Sequence, residues 1–545
     1  MVSGGHRGQI QIILAWLVVV VAGLFVPLMD NDSAHHANIA LRMYLTGDYV
    51  SLIDYDGPYL DKPHLHFWLT ALSYHLFGVT GFAYKFPSFL FSLIGIWSVY
   101  RSGILINNKN TGLVAAVVYA SSASFLLSLN DVRMDAILTS SVAISIWQLL
   151  GYLKFGSRRY MLGLAAGLAI GFCTKGHIAI VIPVLFALFY MFFRGDWKPL
   201  FNLNVLGGIA LFLLFILPVV YCYYKQFNLH PEVVVRGKDH INGIRFILLD
   251  QSIGRYGGEM GGDGKGDKLF FFHTFLWAFA PWSILLISSL IIKKGGKQLG
   301  VIAKSVIGVL IVFAVLLGLS SFKLPHYLNV ILPLAALCVA ELTIRKEEMV
   351  QPILKWTMWI VWLLIGVISS LVLVWWFPQQ SVMFWVGFTV LLINMFYVNK
   401  KNSGGDIINQ IKNIAAGVFV IFWILNVGFY PSLLRYQGGK ELASVLENEN
   451  FNKPVLSLEG FYSSSFYFYY KQLRAGIEIG AVENNGSFLL FDQKQEAELI
   501  KKGIVWKREW SVTDYEITRI GIKFLNPETR QILCTKLKLV ELVNN

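Results

Sequence analysis

Asp32, His35 and His36 stand at i, i+3 and i+4 in a stretch, Asp32 to Leu45, whose periodicity suits a short amphipathic helix lying in a membrane interface. On such a helix the three side chains come near one face, where a carboxylate and imidazoles can bind a divalent cation. The same residues fit a plainer arrangement, with both histidines on the surface and Asp32 capping the helix by accepting from its first free N–H groups. A second pair of acids, Asp131 and Asp135, is four residues apart with Arg133 between them. On a helix both carboxylates would face one way, and Arg133 could neutralise either. Cations recur beside these acids: Lys62 after Asp61, Lys175 in Thr174-Lys175-Gly176-His177, Arg255 before Tyr256, and Lys323 in the run Ser320 to Tyr327. Each alone is a basic residue at a membrane boundary, whose default is to snorkel to the headgroups. Together, near acids, they make a site for an anionic headgroup beside a metal or a base.

The elements that must carry these residues are membrane helices. With 55% apolar and only 14% charged residues in 545, the chain reads as a polytopic α-helical membrane protein. A hydrocarbon core ~30 Å thick needs about 20 apolar residues per helix. On that template we count about thirteen spans, near 9–28, 80–104, 111–129, 135–153, 160–174, 177–193, 203–224, 270–292, 301–320, 326–344, 354–376, 380–398 and 411–433. The first run lacks a small-residue cleavage pattern and is expected to stay as an anchor.

Most Lys and Arg fall in alternate loops. Arg101, Lys154, Arg158, Arg159, Arg194, Lys293, Lys294, Arg345 and Lys400 fall on one side, which the positive-inside rule assigns to the cytoplasm together with the N-terminus. The acids Asp30, Asp32, Asp54, Asp61, Asp131 and Asp135, the loops 29–79 and 225–269, and everything after about residue 434 fall on the other. The chemistry is therefore expected to face outward. The net charge of +13 resides largely in short cytoplasmic loops facing anionic lipids, so nucleic acid is not an expected partner.

Residues 1–434 are expected to form the membrane module and 435–545 a small α/β domain on the outer, periplasmic side. There, strand-like runs such as Val455–Leu458 and Ser487–Phe491 alternate with helical ones such as Gln493–Lys502. Four scattered cysteines indicate neither a disulfide framework nor a CxxC metal site.

The motifs Asp32-x-Ala34-x-x-Ala37-x-Ile39-Ala40, Gly47-Asp48-Tyr49, Pro58-Tyr59-Leu60-Asp61-Lys62-Pro63, Met134-Asp135-x-x-Leu138-Thr139, Thr174-Lys175-Gly176, Pro281-Trp282-Ser283 and Lys323-x-Pro325-x-Tyr327 with Leu332-Pro333 follow in an order that resembles a known superfamily. It is that of the aminoarabinose transferases and protein O-mannosyltransferases, membrane glycosyltransferases of the GT-C type, over roughly residues 10 to 345. The layout is most similar to the aminoarabinose transferase branch. The resemblance implies inverting transfer of a sugar from a polyprenyl-phosphate carrier to a glycolipid, lipid A or a protein hydroxyl, at the outer face of a bacterial inner membrane.

Carried over by motif, Asp32 and Asp135 are the expected catalytic acids, and Tyr59, Lys62, Arg255, Lys323 and Tyr327 the expected carrier-phosphate residues. A divalent metal, with His35 and His36 as ligands, is a further expectation. The chain departs from the family pattern where it has Asp32-Ser33 for Asp-Glu, His35-His36 for Arg-Tyr, and Lys62-Pro63-His64 for Lys-Pro-Pro. Two other readings use similar parts: a polysaccharide polymerase or ligase with a lipid-linked donor, and a lipid-linked sugar transporter or flippase. Transporters place ionisable residues near the bilayer midplane and often show related halves. An apolar cavity for the carrier tail and a separate acceptor groove are expected between the outer loops and the α/β tail.

Overall fold

Apolar chain in a bilayer must satisfy its own backbone groups, so runs of this kind coil into helices. The computed structural model describes residues 3–30, 32–55, 57–235, 237–251, 267–291, 299–318, 323–400 and 406–544. Among the described residues up to 223 the α-helices are α1 (Ser3–Leu24), α2 (Asp32–Thr46), α3 (Leu65–Phe77), α4 (Gly81–Ile106), α5 (Lys109–Ala120), α6 (Ala123–Asn130), α7 (Asp135–Phe155), α8 (Arg158–Lys175), α9 (Ile178–Arg194) and α10 (Leu203–Tyr223).

Among the described residues, seven helices are long and apolar enough to cross a bilayer, or up to nine if each of two bent pairs is one span. This is fewer than the expected thirteen, and the reasons are local. The run 111–129 breaks at Ser121-Ser122 into α5 and α6, bent by 53°; the run 270–292 breaks before Pro281 with a 117° bend. Helix α8 carries Arg158, Arg159 and Lys175 within 18 residues, while α9 is apolar but short.

Small residues set how closely the helices that carry the site approach one another. A Cβ on Gly95 of α4 would stand 2.7 Å from Ser140 Oγ of α7, and one on Gly167 of α8 would stand 2.7 Å from Ser145 Oγ. Gly171 of α8 is pressed against Ser141 and Ala179. Glycine and serine stripes of this kind let membrane helices pack backbone to backbone. In consequence the start of α7 and the end of α8 lie side by side.

Helix α2 differs from the expected interfacial helix. Ser33, Ala34, His36, Ala37, Ile39, Ala40, Leu41 and Met43 are all buried, so it is enclosed by protein rather than laid on lipid. Helix α3, the helix Ser464–Tyr470 and the loop 131–134 cover it: Tyr74 and Phe468 join its core, and Ser33 Oγ donates to Val132 O (2.9 Å).

Beyond the helix Ile407–Trp423 and its continuation lies a five-stranded sheet of order β2-β1-β3-β5-β4, with β1 (Val455–Leu458), β2 (Ala475–Ile477), β3 (Phe488–Asp492), β4 (Trp506–Asp514) and β5 (Thr535–Leu542). Strand β1 runs parallel to β2 and β3, and β5 is antiparallel to β3 and β4. Alternate β3 and β5 side chains fill two cores, Leu490 and Leu539 on one face, Leu489 and Val540 on the other, so helices and loops cover both faces.

Candidate active site

Two helix ends and two turns deliver the charged residues. Asp135 is the first residue of α7 and Lys175 the last of α8. A carboxylate at a helix N-terminus and an ammonium at a C-terminus both suit the helix dipoles. Their side chains are only 4% and 6% exposed and meet at 2.7 Å. The Lys175 ammonium also lies 5.3 Å from the centroid of the Tyr327 ring.

Arg133 links this pair to Asp32. Its Nη1 is 2.8 Å from Asp32 Oδ2, its Nη2 is 3.0 Å from Asp131 Oδ2, and Nη1 also lies 3.2 Å from His326 Nδ1. Because a guanidinium only donates, His326 Nδ1 accepts, and its Nε2–H faces Asp135 Oδ2 at 3.9 Å. The two expected acids are thus joined by one chain of groups: Asp32, Arg133, His326, Asp135, Lys175. Ser33, which stands where the resemblance has glutamate, donates its hydroxyl to Asp131 Oδ1 (2.5 Å) and so helps hold the 131–134 turn. Tyr84 OH donates to Val132 O (2.8 Å) from below.

The Asp61-Lys62-Pro63 turn is tied in from another side. Gly176, at φ +76°, ends α8 in a conformation that favours glycine, and a Cβ there would collide with the Gln251 amide. Gln251 Nε2 in turn donates to Asp61 O (3.0 Å). The Tyr59 and His36 rings pack edge to face nearby, their centroids 6.4 Å apart. Burial pushes the Tyr59 phenol up, with Asp61, Asp54 and Asp32 adding to it. Burial pushes the His36 imidazole well down, aided by His35, His66, Lys62 and Arg133. Lys62 and Arg133 thus both act on the His36 imidazole, and Asp32 acts on the Tyr59 phenol beside it.

The expected metal ligands do not converge. His35 Nε2 turns to Asp54 Oδ1 (2.7 Å), His36 Nε2 to the Tyr59 hydroxyl (3.4 Å), and Asp32 to Arg133. Among the described residues no group of three or more His, Cys, Asp or Glu is arranged to hold an ion. The i, i+3, i+4 spacing is kept, but each side chain finds a separate partner. Lys323 donates to Asp267 O (3.2 Å), and its neighbours His326 and Tyr327 are the residues of that turn that enter the cluster. Arg255 lies outside the described residues.

The sequence gave Arg133 the neutralising of either acid and counted Lys175 among the cations for an anionic headgroup, without pairing Arg133 with Asp32 or Lys175 with Asp135, and it missed His326. Their signals were the placing of Arg133 between two acids and of His326 beside Tyr327. An apolar cavity of about 290 Å³ is lined by Leu149, Leu164, Val184, Leu188 and Phe212 among others, but it is not the one expected. It lies toward the ends of α7 and α8 remote from Asp135, rather than between the outer loops and the sheet.

Residues 61–222 match the family model of dolichyl-phosphate-mannose-protein mannosyltransferases. The undecaprenyl phosphate-alpha-4-amino-4-deoxy-L-arabinose arabinosyl transferase of Pseudomonas aeruginosa is 30% identical over 338 residues, 59% of this chain and 58% of that one. Its counterpart from Pseudomonas paraeruginosa is 31% identical over 351 residues, 61% and 60% of the two chains. The matched region thus spans about three fifths of these curated relatives. In fold the likeness is end to end: the crystal structure of ArnT from Cupriavidus metallidurans bound to undecaprenyl phosphate superposes with a TM-score of 0.76 over 99% of this chain and 98% of that one, at 14% identity. Its apo form gives 0.75. By sequence the chain is thus similar to aminoarabinose transferases over about three fifths of its length, and in fold it is like ArnT over nearly all of it.

Proposed function

We propose that the chain transfers a sugar from a polyprenyl-phosphate carrier to an acceptor hydroxyl at the outer face of a bacterial inner membrane. The observation that carries this reading is the Asp32-Arg133-His326-Asp135-Lys175 chain of groups beside Lys62, in a fold that superposes on ArnT over nearly its whole length. The name of the Pseudomonas relatives supports undecaprenyl phosphate as the carrier and an aminoarabinose as the sugar; lipid A, another glycolipid or a protein hydroxyl is the acceptor in this reading.

In the proposed step Asp32 takes the proton of the acceptor hydroxyl as its oxygen bonds the anomeric carbon. The bond from that carbon to the carrier phosphate breaks, and its electron pair leaves on the phosphate oxygen, with inversion at carbon. Lys62, Arg255 and Tyr59 hold the leaving phosphate, with Tyr327, whose ring lies against the Lys175 ammonium, and Lys323 of the same turn as further phosphate residues of this reading. Asp135 with Lys175 fixes His326 and so Arg133. A positioned base contributes ~10²–10⁴-fold, and donors aimed at the developing charge about as much again. Thirteen crossings, a cytoplasmic N-terminus, a membrane module of residues 1–434 and a periplasmic domain of residues 435–545 belong to the same reading. They are supported by the alternation of basic and acidic loops.

The test is release of undecaprenyl phosphate from undecaprenyl-phosphate sugars by the protein in liposomes with cell-envelope extract, beside Asp32→Asn. Release that needs the extract and falls by ~10²-fold or more in the variant is the expected result. Near-normal release by Asp32→Asn would remove the base assignment, and none with any donor sugar would favour lipid transport.

A further inference from the structure

The apolar cavity of about 290 Å³ is a groove between α7, α8, α9 and α10. Helix α9 lines it with a stripe that includes Ile180, Val184, Leu188 and Met191, spaced to share one helix face, and α8 does so with Met161, Ala165 and Leu168. Val184 and Leu188 are exposed, so the groove opens sideways onto the apolar surface of the bundle. At 1.5 Å per residue the α9 stripe is ~16 Å long, about half of a ~30 Å hydrocarbon core.

Both stripes run into a cation one turn further on. Arg194 follows Met191 by three residues, Arg158 precedes Met161 by three, and Lys198 adjoins Pro199, which also lines the groove. All three cations are exposed. The two guanidiniums bond to neutral acceptors, Arg158 Nε donating to Asn204 Oδ1 (3.2 Å) and Arg194 Nη1 to Tyr190 OH (3.3 Å). Tyr152 OH donates to Pro199 O (3.1 Å) and so fixes the short turn that carries Lys198 at this end. Asp196 is the only acid in sequence between Asp135 and Glu232, and it accepts from Lys198 N (3.2 Å). The groove end therefore carries three cations to one acid. Trp197 of the same turn is exposed, as aromatic residues at the headgroup level are. An apolar groove one leaflet long with excess positive charge at its mouth has the order of parts of an anionic phospholipid, an acyl chain followed by a phosphate.

We infer that this groove binds an anionic phospholipid of the leaflet opposite the candidate active site, with one acyl chain along α8 and α9 and its phosphate taken by Arg158, Arg194 and Lys198. The groove lies at the ends of α7 and α8 remote from Asp135 and Lys175, so its lipid is not the carrier of the proposed reaction. The site does not depend on which reaction the protein catalyses.

The experiment is native mass spectrometry of the delipidated full-length protein in detergent, titrated with dioleoylphosphatidylglycerol, dioleoylphosphatidylcholine or undecaprenyl phosphate. The phosphatidylglycerol is expected to fill one site about tenfold more tightly than the phosphatidylcholine with the same chains. The triple variant Arg158→Gln, Arg194→Gln, Lys198→Gln alters only exposed side chains and is expected to bring the two lipids to equal affinity. Ala187→Phe narrows the groove and is expected to weaken both about fivefold, because the chain loses its apolar contact. Equal affinity in the parent, a preference that survives in the triple variant, or parent-like binding by Ala187→Phe would each overturn the site. Displacement of phosphatidylglycerol by one equivalent of undecaprenyl phosphate would also overturn it and give the groove to the carrier.

Discussion

At the residue scale, the site depends on charges that neutralise one another out of water. The Asp135–Lys175 pair is almost fully enclosed, so removing one partner strands the other. Lys175→Met is expected to cost about 3–5 kcal/mol, and the double variant with Asp135→Asn to regain most of it while staying inactive. Thermal unfolding in detergent, read beside turnover, checks both halves. Arg133 touches Asp32, Asp131 and His326 at once, so its loss frees Asp32, the proposed base, from the partner that orients it. Arg133→Gln is expected to lower turnover by about 10²-fold. His35→Arg, which puts a guanidinium one turn along α2 from Asp32, is expected to restore part of that loss. If Arg133 only holds the 131–134 turn, a cation on α2 restores nothing.

At the element scale, helix ends do the positioning. Lys85, fully buried in α4, donates to Gly23 O (3.1 Å) and Val26 O (2.8 Å), the carbonyls at the end of α1, and so fixes the direction in which the chain sets off toward Asp32. Helix α3 begins with His64 and His66, and burial pushes both imidazoles down to about 4. Below about pH 6.5 the unfolded chain takes up protons that the folded one refuses until about pH 4, so stability is full above pH 6.5 and falls as the pH drops through that window. The protein packed around Asp30 pushes its carboxyl up to about 6, which works in the opposite direction between about pH 6 and 4. Two histidines outweigh one acid. The melting temperature is therefore expected to be lower at pH 5 than at pH 7, the drop smaller in His66→Asn and larger in Asp30→Asn.

At the scale of the whole molecule, the C-terminal sheet is docked onto the segment between α1 and α2 by polar bonds. Gln437 Nε2 donates to Leu28 O (2.9 Å), Asp30 N donates to Gln437 Oε1 (2.7 Å), Leu28 N donates to Tyr469 OH (2.8 Å), and Asp30 accepts from Ser465 N (2.6 Å) and Oγ (2.7 Å). Gln437→Leu would leave a buried carbonyl and an amide without partners, at about 1–3 kcal/mol each. It is expected to raise hydrogen exchange in residues 438–470 and to speed proteolysis there, with acceptor-dependent turnover falling more than donor binding. Equal exchange in variant and parent would mean that apolar packing alone holds the two parts together.

The membrane class, the order of apolar runs and the presence of an α/β tail were legible in the sequence, because hydrophobic length and periodicity are local properties of a chain in hydrocarbon. Asp32 and Asp135 were legible as acids at helix starts for the same reason. What only the tertiary structure decided is which groups meet. Spacing along α2 suggested that Asp32, His35 and His36 share a ligand, yet partners brought from Arg133, Asp54 and Tyr59 draw them apart. No spacing announces that Lys175, 40 residues away, closes on Asp135, or that His326 enters from a turn almost 200 residues downstream. Those pairings follow from glycine and serine stripes that let α4, α7 and α8 approach closely, and a charge leaving water settles on whatever opposite charge that packing supplies.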